Sequence, residues 1–412
     1  MSNTLIRFGN PRRLGGPLWR SALLTASAAG ANVLVVAPED RELEKEWEDI
    51  GVTGHWLAPQ EAEAVGAALL RVSDAGEGGV VITSDPDSAT LRAALLAEAA
   101  QRYDASAVRL LLDKAATREL AARAGVSTAP GLVWRPTAPA PTAAIRRLAD
   151  DSPRGVVVKG ALAWAGHEQA RAGSGSEAVA AAEALAAKCG THLVIEAFVP
   201  GVECSLELVR FADGSCRATG WSVKGRTDDE RHPLYRPRIA PAEAPPAALV
   251  HAAEAVLHEA QYQGIADFDL ICTDDGDVVV LECNPRTSWA TLLHWTSRGY
   301  SSVECALAAD RDLSGDREPL LAAEFLLPDD ERASRAVASV AEADGWVHPA
   351  VEGLRARGFV RARDIDGLAA VAGFLERTCG IALTSHLDLA ETALELQVEF
   401  GTALVPRRAG DA

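Results

Sequence analysis

Residues 265–286, IADFDLICTDDGDVVVLECNPR, constrain the fold more than any other stretch of this chain. Two strand-like runs, 266–272 and 278–283, flank the turn-forming segment 274–277, and that pattern predicts an antiparallel hairpin. Strand residues two apart share a face, so Asp267 and Asp269 stand together on the first strand. Glu282 and Asn284 do the same on the second. Pairing across the turn sets Asp269 opposite Glu282. Two carboxylates and an amide oxygen then converge, the hard oxygen set that magnesium takes while leaving room for water and phosphate oxygens. Acids decorating a solvated hairpin would be the plainer account of a single Asp–Glu pair. Here Glu282 and Asn284 bracket a cysteine after the apolar run VVVL and stand directly before Pro285-Arg286.

The rest of the chain divides by pattern. Strand-like runs at 4–8, 33–37 and 80–83 alternate with helical stretches at 18–29, ended by Gly30, and 89–101, capped by Ser88. Such alternation predicts a parallel sheet with helices on both faces. The glycines between 9 and 16 lack the GxGxxG spacing of a dinucleotide site, which leaves a structural turn or part of a substrate site. A helix is expected over 107–125, with leucines on one face, Lys114 and Arg118 on the other, and Gly125 closing it. Pro130, Pro136, Pro139 and Pro141 read as a linker. Further strands are expected at 155–159, 192–198, 204–211 and 216–223, the last two joined at Asp213-Gly214, and helices at 176–188 and 246–263. Beyond about residue 312 the chain is rich in Ala, Val and Leu, with helical spacing near 331–343 and 364–378. Three domains follow: 1–106, 107–312 and 313–412.

Composition narrows the function. A net charge of −18 argues against nucleic acid, which is bound through clustered Lys and Arg. The seven scattered cysteines form no CxxC pair, so they read as reduced, mostly buried thiols. No apolar run approaches the roughly 20 residues that span a bilayer, and the first residues lack the apolar core of a secretion signal. A soluble, cytoplasmic protein without a membrane partner is expected.

The ending Glu282-Cys283-Asn284-Pro285-Arg286, with Asp269 thirteen residues upstream of Glu282, resembles the metal-binding hairpin of the ATP-grasp superfamily. That resemblance implies an ATP-grasp fold of α/β and α+β type, with a lid at roughly 128–198. A Rossmann-like domain would precede it and a C-terminal accessory region follow it. It implies ATP as cofactor, with magnesium (or manganese in its place) held by Asp269, Glu282 and Asn284, and Arg286 near the transferred phosphate. Lys114 and Lys159 look like the family's two phosphate-binding lysines, converging from separate elements on the triphosphate. In VIEAFVPGVECSLELV the resemblance places Glu196 at the adenine amino group, backbone groups of Ala197 and Val199 at the ring edge, and Glu203 on the ribose hydroxyls. Taken alone, Glu196 reads as an ordinary strand-edge charge. The stretch after Lys159, KGALAWAGHEQARAGSG, departs from the family's small-residue phosphate loop: Trp164 and His167 are bulky, although Gly160 and Gly166 still admit a close backbone.

The implied reaction activates a substrate carboxylate as an acyl phosphate and joins it to a nucleophile, releasing ADP and phosphate. An amino-acid or peptide ligase acting on small-molecule carboxylate and amine substrates is the first reading, with a homodimer as the assembly. Loading an amino acid onto a carrier-protein thiol is the second. A nucleotide-binding regulatory protein without turnover is the third. Arg226, Arg231, Arg236 and Arg238 are either surface charges or holders of a substrate carboxylate. His167 is either an exposed loop residue or a contact to phosphate or acceptor. Trp289 and Trp295 either wall the acceptor pocket or pack in the core.

Overall fold

The computed structural model describes residues 4–8, 32–36, 54–57, 79–83, 105–163, 168–189, 191–211, 213–229, 236–285, 319–327, 333–343, 345–348 and 357–402, with isolated residues at 41, 45, 48, 49, 290, 293, 294, 297 and 298. The chain falls into two compact units. One comprises 1–108, 237–244 and 288–391, the other 109–236, 245–287 and 392–412.

In the first unit, β1 (Thr4–Phe8), β2 (Asn32–Val36), β3 (Gly54–Leu57) and β4 (Gly79–Thr83) form a parallel sheet in the order β1-β4-β2-β3. Three of these strands are the runs expected from sequence. β3, GHWL, is too short and mixed to declare itself. The helices expected at 18–29 and 89–101 lie outside the described residues.

The second unit begins with a correction. The helix expected over 107–125 is two helices, α1 (Ala105–Leu112) and α2 (Lys114–Arg123), broken at Asp113. The Asp113 carboxylate accepts from the amides of Ala115 and Ala116, so a residue read as helix interior is an N-cap. Gly125, at φ +73°, closes α2 as expected. The proline-marked linker is also a structured segment, holding β5 (Gly131–Trp134) and α3 (Thr142–Asp150). Pro130 stands just ahead of the strand and Pro141 at the helix N-cap, where a missing N–H does least harm.

β5 joins β6 (Val156–Gly160), β7 (Gln169–Ala172) and, beyond α4 (Gly175–Cys189), β8 (Leu193–Ala197) in an antiparallel sheet of order β5-β8-β6-β7. Trp134, Val156, Val158, Leu193 and Ile195 pack against Ile145 of α3 and Ala178, Ala182 and Leu185 of α4. Strand alternation turns Val157, Lys159, Val194 and Glu196 to the opposite side, where Val194 meets Ala115 and Ala161.

β9 (Gly201–Arg210) and β10 (Cys216–Arg226) follow as a hairpin over the expected Asp213-Gly214 turn. β11 (Arg238–Ala240) belongs to the first unit. α5 (Ala247–Glu259), β12 (Gly264–Thr273) and β13 (Val278–Asn284) complete the second. The spatial order β13-β12-β9-β10 is antiparallel throughout. Cys204, Leu206, Leu208, Ala266, Phe268 and Leu270 are fully buried on one face, and alternation commits the other face to polar residues.

The remainder of the first unit holds four antiparallel strands in the order β11-β14-β16-β15, in which β14 is Leu321–Leu326, β15 Trp346–His348 and β16 Arg357–Ala362. α6 (Ala333–Glu342) and α7 (Ile365–Cys379) match the helical spacing read from sequence. α7 is capped by Asp364 and ended by Gly380 at φ +70°. The chain's described part closes with α8 (Thr384–Thr402). Among the described residues no helix is long and apolar enough to cross a membrane. Six cysteines are free thiols, four of them buried, and Cys305 lies outside the described residues.

Gly201 opens β9 at φ +152°, and a Cβ there would stand 2.3 Å from the Cys272 carbonyl oxygen. Gly276 in the β12–β13 turn, at φ +86°, faces open space. Gly201→Ala is therefore expected to cost about 3 kcal/mol and Gly276→Ala about 1 kcal/mol. Urea unfolding of the two variants checks this; equal losses would contradict it.

Candidate functional site

The polar face of β13-β12-β9-β10 assembles the residues picked out in the hairpin. Asp269 is paired directly with Glu282, and Asp267 with Asn284, as the turn required. On the other flank Asp269 faces Ser205 and Asp267 faces Glu207. The ladder skips one residue beyond Asp269, a bulge that leaves Leu281 out of the β12–β13 register. Bulges kink a strand and re-aim its side chains.

Three cations meet these carboxylates. Lys114, the first residue of α2, pairs with Glu282 at 2.9 Å and also donates to the Ala163 carbonyl. Lys224 donates to Asp269 Oδ1 at 2.5 Å and lies 3.3 Å from Glu203. Arg236 takes the other Glu203 oxygen at 3.1 Å and donates to the Asp229 carbonyl. Ser205 Oγ donates to Asp269 at 2.9 Å.

Lys224 was not expected from sequence. The β9–β10 ladder skips it, between Val223 and Gly225, so its side chain leaves the strand at a bulge. Gly225, at φ +93°, supplies the backbone freedom. Glycine inside a strand-like run is the signal that could have marked the spot.

The second lysine sits in a buried network. Lys159 and Glu196 are 6% and 3% exposed. Lys159 Nζ is 2.5 Å from one Glu196 oxygen, and Arg118 holds the other at 2.8 Å while donating to the Ala129 carbonyl. Glu196 thus spends both carboxylate oxygens on fixing Lys159 and Arg118. Lys114 is tied to the same region through its backbone: its amide donates to Ala161, two residues beyond Lys159. Asp113, which caps the Lys114 helix, is bonded at 2.9 Å by His192, the residue just before β8.

Other expected residues are placed as follows. The Ala197 amide donates to Pro130, and the Val199 carbonyl accepts from Thr227. Arg226 is half-exposed and held by Asp274 at 2.9 Å and Asp228 at 3.5 Å. Arg238 lies in the first unit, on β11. Gly166, His167, Trp164, Arg231, Arg286, Trp289 and Trp295 fall outside the described residues.

Burial alone would raise the Glu282 carboxyl. Lys114, with help from Lys159 and Lys224, outweighs it and holds the group at about 2. Burial also pushes Asp269 up, opposed by Lys224 and reinforced by Glu282 and Glu203. Glu282 is therefore anionic at neutral pH and held against Lys114. Among the described residues no three His, Cys, Asp or Glu side chains cluster as a ready-made metal cage. Two carboxylates and an amide instead suit an ion that keeps water and phosphate oxygens in its shell.

The architecture has counterparts among solved structures. A biotin carboxylase from Campylobacter jejuni, in complex with an ATP analogue, matches with TM-score 0.65 at 14% identity, over 90% of each chain. An L-amino acid ligase from Bacillus licheniformis matches with TM-score 0.64 at 16% identity, over 92% of this chain and 98% of that one. For the N5-carboxyaminoimidazole ribonucleotide synthetase of Thermus thermophilus the values are 0.65, 20%, 92% and 99%. The chain has the ATP-grasp fold. No protein-family model matches it, and no curated protein sequence does. Within this ATP-grasp fold, the polar sheet face and both lysine networks belong to one compact unit.

The Glu282 carboxyl sets a pH dependence. Its folded value of about 2 lies below the ordinary 4.5, so the unfolded chain binds the proton first as pH falls. The stability it contributes is present above 4.5 and is lost as pH drops through 4.5 toward 2. The difference in urea midpoint between wild type and Glu282→Gln should shrink across that window. A difference independent of pH would contradict the assignment.

Proposed function

We propose that this chain is an ATP-dependent, ADP-forming carboxylate ligase, acting on an amino-acid carboxylate and joining it to an amine. One observation carries the reading: Asp269, Glu282 and Asn284 stand together across a hairpin, with Lys114 on Glu282 and Lys159 fixed nearby. Asp269, Glu282 and Asn284 would hold magnesium, or manganese, which supplies charge neutralisation at the β- and γ-phosphates when bound. Lys114 and Lys159 bring two further positive charges to the triphosphate. Glu203, shared by Lys224 and Arg236, accepts from the ribose hydroxyls, and Ala197 and Val199 offer backbone groups to the base. Glu196 holds Lys159 and Arg118 in place and stands at the adenine end of the same strand.

In the first step a carboxylate oxygen attacks the γ-phosphorus and ADP leaves, giving an acyl phosphate. In the second the amine nitrogen attacks the acyl carbon, phosphate leaves, and the amine gives up a proton. Little covalent chemistry falls to the protein, so positioning and charge carry the catalysis. Lys224, paired with Asp269 and near Glu203, would hold its ammonium beside the phosphate being transferred. Arg286, two residues past Asn284, is assigned to the same phosphate, and His167 and Gly166 to the loop that covers it. Trp289 is assigned to the acceptor pocket. The domain limits 1–106, 107–312 and 313–412 and a homodimer complete the reading, and the similar L-amino acid ligase supports the choice of substrate class.

Coupled detection of ADP across a panel of amino acids, amines and bicarbonate tests it. ADP formed only when a carboxylate substrate is supplied is the expected result. AMP as product would overturn the acyl-phosphate scheme, and ATP binding without turnover on any substrate would favour a regulatory protein. Glu282→Gln should lower turnover about a hundred- to a thousandfold, on the scale of lost electrostatic stabilisation at a reacting phosphate, with an unchanged circular dichroism spectrum. Near-normal activity in that variant would remove Glu282 from the site.

A further inference from the structure

His192, the residue just before β8, is where the two lysine-bearing segments meet. Its backbone carbonyl accepts from the Ala161 amide at 3.0 Å, and the Ala161 carbonyl accepts from the Lys114 amide at 2.9 Å. Ala161 directly follows β6, the strand that carries Lys159. The His192 imidazole reaches the cap of α2: Nε2 lies 3.0 Å from Asp113 Oδ1 and 2.9 Å from Oδ2. Asp113 in turn accepts from the amides of Ala115 at 2.9 Å and Ala116 at 3.3 Å. These bonds close a ring that runs from Lys114 through Ala161 and His192 to Asp113 and back. Ala115 and Ala161 also pack with Val194 of β8.

Capping alone does not call for the histidine. Ser, Asn and Asp cap a helix about equally well, and the helix amides are all the partners such a cap needs. A carboxylate only accepts hydrogen bonds, so Nε2 carries the hydrogen in this pair. The His192 and Asp113 side chains are 19% and 21% exposed, which limits competition from water. The ring also fixes where the Lys114 side chain starts. Its ammonium meets Glu282 at 2.9 Å and donates to the Ala163 carbonyl. Both ends of Lys114 are thus referred to residues 161–163, just beyond Lys159. His192 holds that segment by its backbone and α2 by its ring.

We propose that His192 is a positioning residue for the triphosphate: acting through Asp113, it sets Lys114 at a fixed place relative to Lys159. The inference rests on the ATP-binding part of the function proposed above. It deepens that reading by naming a residue that governs affinity for the phosphates through another side chain.

Calorimetric titration of magnesium-ATP and of adenosine into wild type, His192→Ala, His192→Gln and Asp113→Ser tests this. Serine still caps α2 but is too short to hold the imidazole. His192→Ala and Asp113→Ser should each raise the Kd for magnesium-ATP about ten- to thirtyfold, within the range for a lost hydrogen bond to a charged group. His192→Gln keeps a donor near the Nε2 position and should stay within about threefold of wild type on the same scale. Adenosine lacks the phosphates that Lys114 meets, so its Kd should be the same in every variant. In a Lys114→Met background His192→Ala should cost no further ATP affinity, because residues acting through one group are not additive. Asp113→Ser carries the test if His192→Ala does not fold. Equal losses for ATP and adenosine would mark a general structural role and overturn the proposal. Unchanged ATP affinity in His192→Ala and Asp113→Ser, or an undiminished His192→Ala loss without the Lys114 ammonium, would overturn it too. If wild type binds magnesium-ATP but forms ADP with no substrate, the ligase chemistry falls and the role of His192 stands. No ATP binding by wild type would overturn both.

Discussion

Carboxylates facing cations on one side of a β-sheet are what the second unit depends on. Glu203, Asp269 and Glu282 lie on neighbouring strands, close enough that their mutual repulsion must be offset. Lys114, Lys224 and Arg236 offset it from three separate elements. Each ion pair therefore fixes a strand or helix to the sheet as well as neutralising a charge. In the proposed function a divalent ion would have to compete with ammonium groups already at these oxygens. Buried pairs of this kind add little net stability; their value lies in fixing where charge can be placed.

Bulges and caps convert this electrostatics into geometry. A strand of strict alternation would point Lys224 away from Glu203 and Asp269 or leave it in register with a partner. The bulge at Val223–Gly225 frees it to reach both. The break at Asp113 does the same for Lys114: a continuous helix would bury that position mid-run, whereas the N-cap sets the lysine at the helix start. Lys159 is held by a different device, a shared Glu196 whose second oxygen is bound by Arg118.

Much of this was legible in the sequence because period-two alternation and turn chemistry are local. The hairpin of β12 and β13, its register at Asp269 and Glu282, and the turn at 274–277 all follow from residues close together in the chain. The N-terminal strands and the helices α6 and α7 carried the same kind of signal. What stayed hidden depends on non-local partners. Asp113 looks like any polar residue on a helix surface until its cap and His192 are seen. The prolines between 130 and 141 announce a linker by composition, yet two of them sit at element starts that tertiary packing completes. β14, β15 and β16 gave no pattern because Ala-rich or very short strands lack contrast between faces. Lys224 and Arg118 were missed because a lone cation on a strand or helix has no spacing to give it away.

The central claim is that the carboxylate set built by Asp269, Glu282 and Asn284 receives a magnesium-bound nucleotide beside Lys114 and Lys159. Calorimetric titration of ATP into the full chain, with and without magnesium and in Asp269→Asn beside wild type, measures this directly. Saturable binding that needs magnesium and is lost in Asp269→Asn is the predicted result. Binding of equal strength without the metal, or unchanged in the variant, would contradict it.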